Sequence, residues 1–142
     1  MDSWDCRTES CRHDLSETIN ALLGRPYRDD ACGPDAFDCF GLALYLAREC
    51  LGVELEDPRK GPGGGLAAIR RFREHFEEVS AAELEPLDWL HFDDGGLQHF
   101  AVVEDSLWAV EASRDAGVAR RPLEDALARF PRAYRVRLRR SC

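Results

Sequence analysis

Asp38-Cys39-Phe40-Gly41-Leu42-Ala43-Leu44-Tyr45-Leu46-Ala47-Arg48-Glu49-Cys50-Leu51-Gly52 opens with a helix-capping residue and closes with a helix-stopping one. Between them Cys39, Leu42, Ala43, Leu46 and Cys50 recur at helical spacing. The spacing predicts a helix from Cys39 to Leu51, with one apolar stripe turned toward the rest of the protein. Cys39 falls in its first turn. Free N–H groups and partial positive charge at that end favour a thiolate, the reactive form of cysteine. The same residue lies on the buried stripe, where a cysteine is commonly a small core side chain. Position alone leaves a nucleophile and a core residue both open.

Upstream, Asp14 to Leu23 reads as a helix with Ile19, Leu22 and Leu23 apolar and Gly24 as its stop. Arg25 to Asp38 is turn-rich, with Pro26, Gly33 and Pro34. Residues 1–13 read as a disordered arm, and residues 14–140 as one domain. Downstream, Asp57 to Gly65 is rich in Gly and Pro but lacks the Gly-Lys-Ser/Thr ending of a phosphate loop, so it reads as a linker. Leu66 to Val79 reads as an amphipathic, highly charged helix. After Pro86 the pattern shortens to strands. Leu87–Phe92 is one, Gln98–Val103 and Leu107–Ala112 form a hairpin, and Gly117–Arg121 and Ala133–Leu138 follow, with a short helix over Pro122–Phe130. Helices first and antiparallel strands after them predict an α+β domain.

The 142 residues are 44% hydrophobic and 32% charged, enough for a core that needs neither disulfides nor metal. No stretch approaches the roughly 20 apolar residues of a membrane span. The polar, acidic start lacks a basic segment and an apolar run, which predicts no signal peptide: the chain is made in the cytoplasm and stays there, or leaves by another route. A net charge of −8 argues against general nucleic-acid binding. The nine arginines after residue 113 read as dots on an exposed strand face. Six cysteines without a secretion signal do not suggest a disulfide framework. Cys6, Cys11 and His13 form a loose cluster, but zinc asks for about four ligands and no second close pair exists, so an arm without metal is the reading.

His99 begins the expected hairpin. A turn centred on Asp105 would place it opposite Glu111, on a face that carries the small Ala101 and Ala109 and can let a helix approach closely. Phe100, Val102, Trp108 and Val110 would form the opposite, core face. A histidine beside a carboxylate can be a base with an orienting group, or a structural ion pair; Arg114 is a rival partner for Glu111. His75, in a charged helix, reads as solvated, and His91 as a packing residue near the cleft.

Gly24-Arg-Pro-Tyr27 followed by Asp38-Cys39-Phe40-Gly41-Leu42 resembles the nucleophile motif of NlpC-type cell-wall peptidases, whose domain is papain-like. Leu87-Asp88-Trp89 is similar to the Gly-Asp strand that precedes the family histidine. Glu111-Ala112-Ser113 stands twelve residues after His99, where the family's third polar residue lies, and Gly117-Val118 matches the Gly-Val that follows. The resemblance covers about residues 18 to 139. Phe40 replaces a common Ser, and Glu111 stands where His is commonest.

The resemblance implies a papain-like domain with N-terminal helices packed on a small antiparallel sheet. It implies a cysteine peptidase or amidase that hydrolyses peptidoglycan stem peptides, with Cys39 as nucleophile, His99 as base, Glu111 as orienting residue and Tyr27 at the oxyanion site, and no metal or organic cofactor. In style it is similar to small phage-tail-associated members. That implies delivery to the wall by a phage tail or secretion system, with such machinery or an immunity protein as possible partners. Two alternatives stand beside it: acyl transfer or deamidation on another substrate by the same fold, and a non-catalytic tail or secretion component.

Overall fold

The computed structural model describes residues 9–53, 55, 64–94 and 97–137. Helices α1 (Glu9–Leu22), α2 (Cys39–Leu46) and α3 (Gly64–His75) precede the strands. These are β1 (Phe76–Val79), β2 (Trp89–Asp94), β3 (Leu97–Val103), β4 (Trp108–Ser113), β5 (Gly117–Pro122) and β6 (Arg132–Val136), with α4 (Leu123–Arg129) before the last. The strands form one sheet in the order β1-β6-β2-β3-β4-β5, each pair antiparallel. The fold is α+β, as predicted. Among the described residues no helix is long and apolar enough to cross a membrane.

The alternation along β3 and β4 sorts side chains to two faces. Phe100, Val102, Val110 and Ala112 meet Leu15, Ile19 and Leu22 of α1 and Leu42, Ala43 and Leu46 of α2. Ala101, Val103 and Ala109 meet Leu123 and Ala126 of α4, together with Phe130. The small residues thus do admit a helix, and it is α4. On the first face Trp89 is fully buried, its ring packed with Phe40, Phe72, Phe76 and Phe100 at centroid distances from 4.6 to 6.4 Å. Edge and tilted contacts of this kind add to the area that the rings bury.

Helix α2 is more central than its stripe implied. Cys39, Phe40, Gly41, Leu42 and Ala43 are all buried, so its first turn is enclosed on every side. Its α-helical turns give way to a π turn at Ala47–Leu51, which Gly52 ends in the left-handed conformation, φ +68°. A Cβ at Gly41 would lie 2.0 Å from the Ala31 carbonyl oxygen, so only glycine lets the helix start and the preceding loop touch.

Four boundaries differ from expectation. Helix α1 begins at Glu9, inside the segment read as a disordered arm; residues 1–8 and the side chains of Cys11 and His13 lie outside the described residues. The helix read over Leu66–Val79 ends at His75, and Phe76–Val79 is a strand paired with β6, Phe76 opposite Val136. The segment read as a linker lies mostly outside the described residues, and its Gly64 and Gly65 open α3. Strand β2 starts at Trp89 because Leu87 is left-handed, φ +74°, and Asp88 turns inward.

The arginines of the C-terminal third are not an idle exposed face. Arg135 donates to both carboxylate oxygens of Asp88, which is 0% exposed, at 2.9 Å each. Arg120 grips buried Glu104 at 2.7 and 2.9 Å, and Ser16 of α1 adds a third bond at 2.8 Å. Arg121 covers Glu111, and Arg114 pairs with Asp29 at the surface. A buried carboxylate is tolerated only when partnered this way.

Candidate active site

Cys39 takes the first position of α2 because Asp38 stops the chain from being helical one residue earlier. The Asp38 carboxylate accepts the Gly41 N–H at 2.5 Å and, with its other oxygen, the Asp30 N–H at 3.0 Å. One buried aspartate thus caps the helix and ties down the loop before it. The Cys39 side chain is 7% exposed, and its Sγ lies 3.7 Å from the Gln98 carbonyl oxygen. That places the sulfur at the start of β3, one residue from His99.

His99 Nε2 and Glu111 Oε1 are 2.7 Å apart. The second Glu111 oxygen accepts from Arg121 Nε. The imidazole stacks on Phe130, with centroids 5.5 Å apart and planes 27° apart. With Nε2 committed to Glu111, Nδ1 is the nitrogen left free to serve the Cys39 thiol, whose Sγ sits at the Gln98 carbonyl, one residue away along β3. Burial opposes charge on His99, but the hydrogen bonds and charges of Cys39 and Glu111 outweigh it and push the imidazole up to about 9. Burial alone would raise the Glu111 carboxyl. The bonds and charges of His99 and Arg121 more than reverse that and hold it below its ordinary value.

Tyr27 is half-buried. It bridges Phe37 in parallel through the backbone, and the Arg114 guanidinium lies 4.8 Å above its ring. Burial first, and then the nearby charge of Cys39, push its phenol above the ordinary 10.0. Its O–H therefore keeps its proton and persists as a donor.

The structure therefore brings Cys39, His99, Glu111 and Tyr27 into one neighbourhood, with one correction of register. Val102 pairs with Val110 and Val103 with Ala109, so the hairpin is centred on Ser106 rather than Asp105. Asp105 sets this turn by accepting the N–H groups of Leu107 and Trp108 at 2.8 and 2.9 Å. Extending the register puts Ser113 opposite His99 and leaves Glu111 one diagonal step away on the same face, within reach of a long side chain. His91 instead stacks on Phe100, centroids 4.8 Å apart, and contacts the Gln98 side chain, while His75 is exposed.

Sequence reasoning missed Arg121, Gln98 and Phe130. Arg121 had a readable signal: a turn centred on Asp115 pairs Glu111 with Ala119 and Ala109 with Arg121, so the arginine sits diagonally from the carboxylate. Gln98 acts through its carbonyl and Phe130 through the packing of α4, and neither leaves a side-chain motif. Among the described residues no group of three His, Cys, Asp or Glu could hold a metal ion.

No family model matches the chain, and no curated protein sequence does. Solved structures do. The NlpC/p60 domain of the peptidoglycan hydrolase SagA is 16% identical over 89% of this chain and 98% of that one, with a TM-score of 0.60. A Staphylococcus aureus protein described as similar to lipoprotein, of the NLP/P60 family, is 18% identical over 93% of this chain, TM-score 0.66; the chain spans 43% of its length. The peptidoglycan hydrolase RipB from Mycobacterium tuberculosis is 19% identical over 97% of this chain and 70% of that one, TM-score 0.63.

Proposed function

We propose that this chain, which has the papain-like fold of NlpC/p60 domains, is a cysteine hydrolase that cuts peptide stems of bacterial peptidoglycan through Cys39, His99 and Glu111. The observation that carries the reading is the His99–Glu111 bond of 2.7 Å, with the Cys39 Sγ at the start of α2 lying 3.7 Å from the carbonyl of Gln98, the residue before His99. A thiol, a base and an orienting carboxylate in that order make an activated nucleophile. The peptidoglycan substrate is supported by the named activity of the SagA and RipB neighbours. The resemblance in style to phage-tail members supports delivery by a tail or secretion system.

In this mechanism His99 takes the Cys39 proton, and the thiolate attacks an amide carbonyl. The Cys39 backbone N–H and the Tyr27 O–H receive the developing oxyanion. The imidazolium then protonates the leaving amine, which departs and leaves an acyl group on Sγ. Water, deprotonated by His99, attacks the thioester, and the acid is released with Sγ restored. Glu111 holds the imidazole through Nε2 and balances its charge throughout.

Digestion of purified sacculi by the wild type and by Cys39→Ala, with mass spectrometry of the released fragments, tests the reading. Soluble stem fragments from the wild type and none from the variant are expected. Equal digestion by Cys39→Ala would remove Cys39 from the mechanism. A modified but uncut stem would favour acyl transfer or deamidation, which share the steps up to the thioester.

A further inference from the structure

Glu111 lies on β4, in the sheet interior, with β3 on one flank and β5 on the other. Neither of its side-chain partners stands directly opposite. His99 is reached along one diagonal, and Arg121 along another, since Arg121 pairs in register with Ala109 and Ala119 with Glu111. A glutamate that spans a diagonal extends through three rotatable bonds, and one hydrogen bond at one oxygen does not fix all three. The side chain is 3% exposed, so water has little access to the second oxygen.

We propose that Arg121 is a positioning residue: its bond to Glu111 Oε2 holds the carboxylate so that Oε1 receives the His99 Nε2–H. This rests on His99 serving Cys39, as proposed above. The chain then runs across the sheet from β5 through β4 to β3 as Arg121, Glu111 and His99, and ends beside Cys39 of α2, whose Sγ lies at the carbonyl of Gln98, the residue before His99.

Among the described residues, the surroundings leave this role to Arg121. Facing Glu111 are His99 from β3 and Arg121 from β5, with Cys39 of α2 beyond the imidazole. Helix α4 turns Leu123 and Ala126 to this face; its Glu124 and Asp125 are exposed, and its Arg129 lies over Phe92 and Phe130. From β2, Phe92 pairs with His99, while His91 stacks on Phe100 of the opposite face. Arg120 points to the opposite face, where Glu104 takes it. Without Arg121 the buried carboxylate would keep one partner, and a buried carboxylate with one partner tends to take a proton. Protonated Glu111 no longer favours an imidazolium. A guanidinium on the far oxygen keeps Glu111 an acceptor and keeps it aimed.

The test uses the full chain as wild type, Arg121→Gln and Arg121→Lys. Iodoacetamide alkylation of Cys39 is followed against pH by peptide mapping, beside the thermal midpoint of each protein. For Arg121→Gln, Cys39 is expected to react roughly 10-fold slower near pH 6, as misplaced supporting groups commonly cost, with the acid edge of the profile moved upward. Arg121→Lys, which keeps charge but loses the Nε geometry, should fall between. A wild-type alkylation profile in Arg121→Gln, at whatever stability, overturns the proposal and makes Arg121 a purely structural partner. If Arg121→Gln does not fold, Arg121→Lys decides alone: slowed Cys39 at pH 6 supports the role, and an unchanged rate overturns it. Failure of the wild type to cut peptidoglycan would refute the proposed function, yet the Cys39 profile would still report on Arg121.

Discussion

At the scale of single residues, Glu111 is the departure from the commoner histidine, and its two bonds explain how a carboxylate can serve there. An amide at this position keeps an oxygen for the imidazole N–H but loses the charge. We expect Glu111→Gln to retain some turnover and Glu111→Ala to lose on the order of 10- to 1000-fold, the range that general-base positioning contributes. Initial rates on stem peptides check this, and wild-type rates in Glu111→Ala would place Glu111 outside the catalytic unit. Cys39, His99, Tyr27 and Glu111 were legible as a candidate site because their order and spacing resemble those of the NlpC-type motif. Arg121 was not read because its relation to Glu111 passes through the β4–β5 register, and the contiguous arginines around it draw the eye to surface charge.

At the scale of elements, two loops must come within contact distance of the site scaffold. Gly117 opens β5 at φ +67°, and a Cβ there would lie 2.3 Å from the Arg25 carbonyl oxygen. Gly24 is also left-handed, φ +87°, but nothing lies within 4 Å of its Cβ position. The two positions separate conformational strain from collision. Gly117→Ala should cost about 2–4 kcal/mol, strain plus overpacking, and Gly24→Ala about 1 kcal/mol. Gly117→Ala should also slow turnover, because the Val118 N–H donates to the Arg25 carbonyl at 2.9 Å, two residues from Tyr27. Urea denaturation of both variants measures this; equal costs would mean that the Arg25 contact relaxes freely. Elements with a strong local pattern, α2 and the β3–β4 hairpin, were legible. Strand β1 was not, because Phe72, Phe76 and Val79 also fit a helical stripe, and only pairing with β6 makes Phe76–Val79 extended.

At the scale of the whole molecule, an acidic N-terminal part and an arginine-rich C-terminal part meet where partly exposed arginines cover buried carboxylates: Arg120 over Glu104, Arg121 over Glu111 and Arg135 over Asp88. Composition announced the imbalance, but which charges pair depends on the sheet order. The site also ties stability to pH. His99 titrates at about 9 when folded against an ordinary 6.5, so its contribution is full below about 6.5 and lost as pH rises through about 9. Glu111 is depressed below its ordinary 4.5, so its contribution is full above about 4.5 and lost as pH falls through its lower folded value. The thermal midpoint of the wild type, relative to Glu111→Gln, should therefore fall as pH rises from about 6.5 to about 9. A flat difference across that range would deny the His99–Glu111 charge pair. The central claim is that Cys39 is the activated nucleophile, and its alkylation order tests it most directly. With limiting iodoacetamide near pH 6, peptide mapping should find Cys39 modified before Cys50 and Cys32, although Cys39 is the most buried of these three. Cys39 reacting more slowly than Cys50 would contradict it.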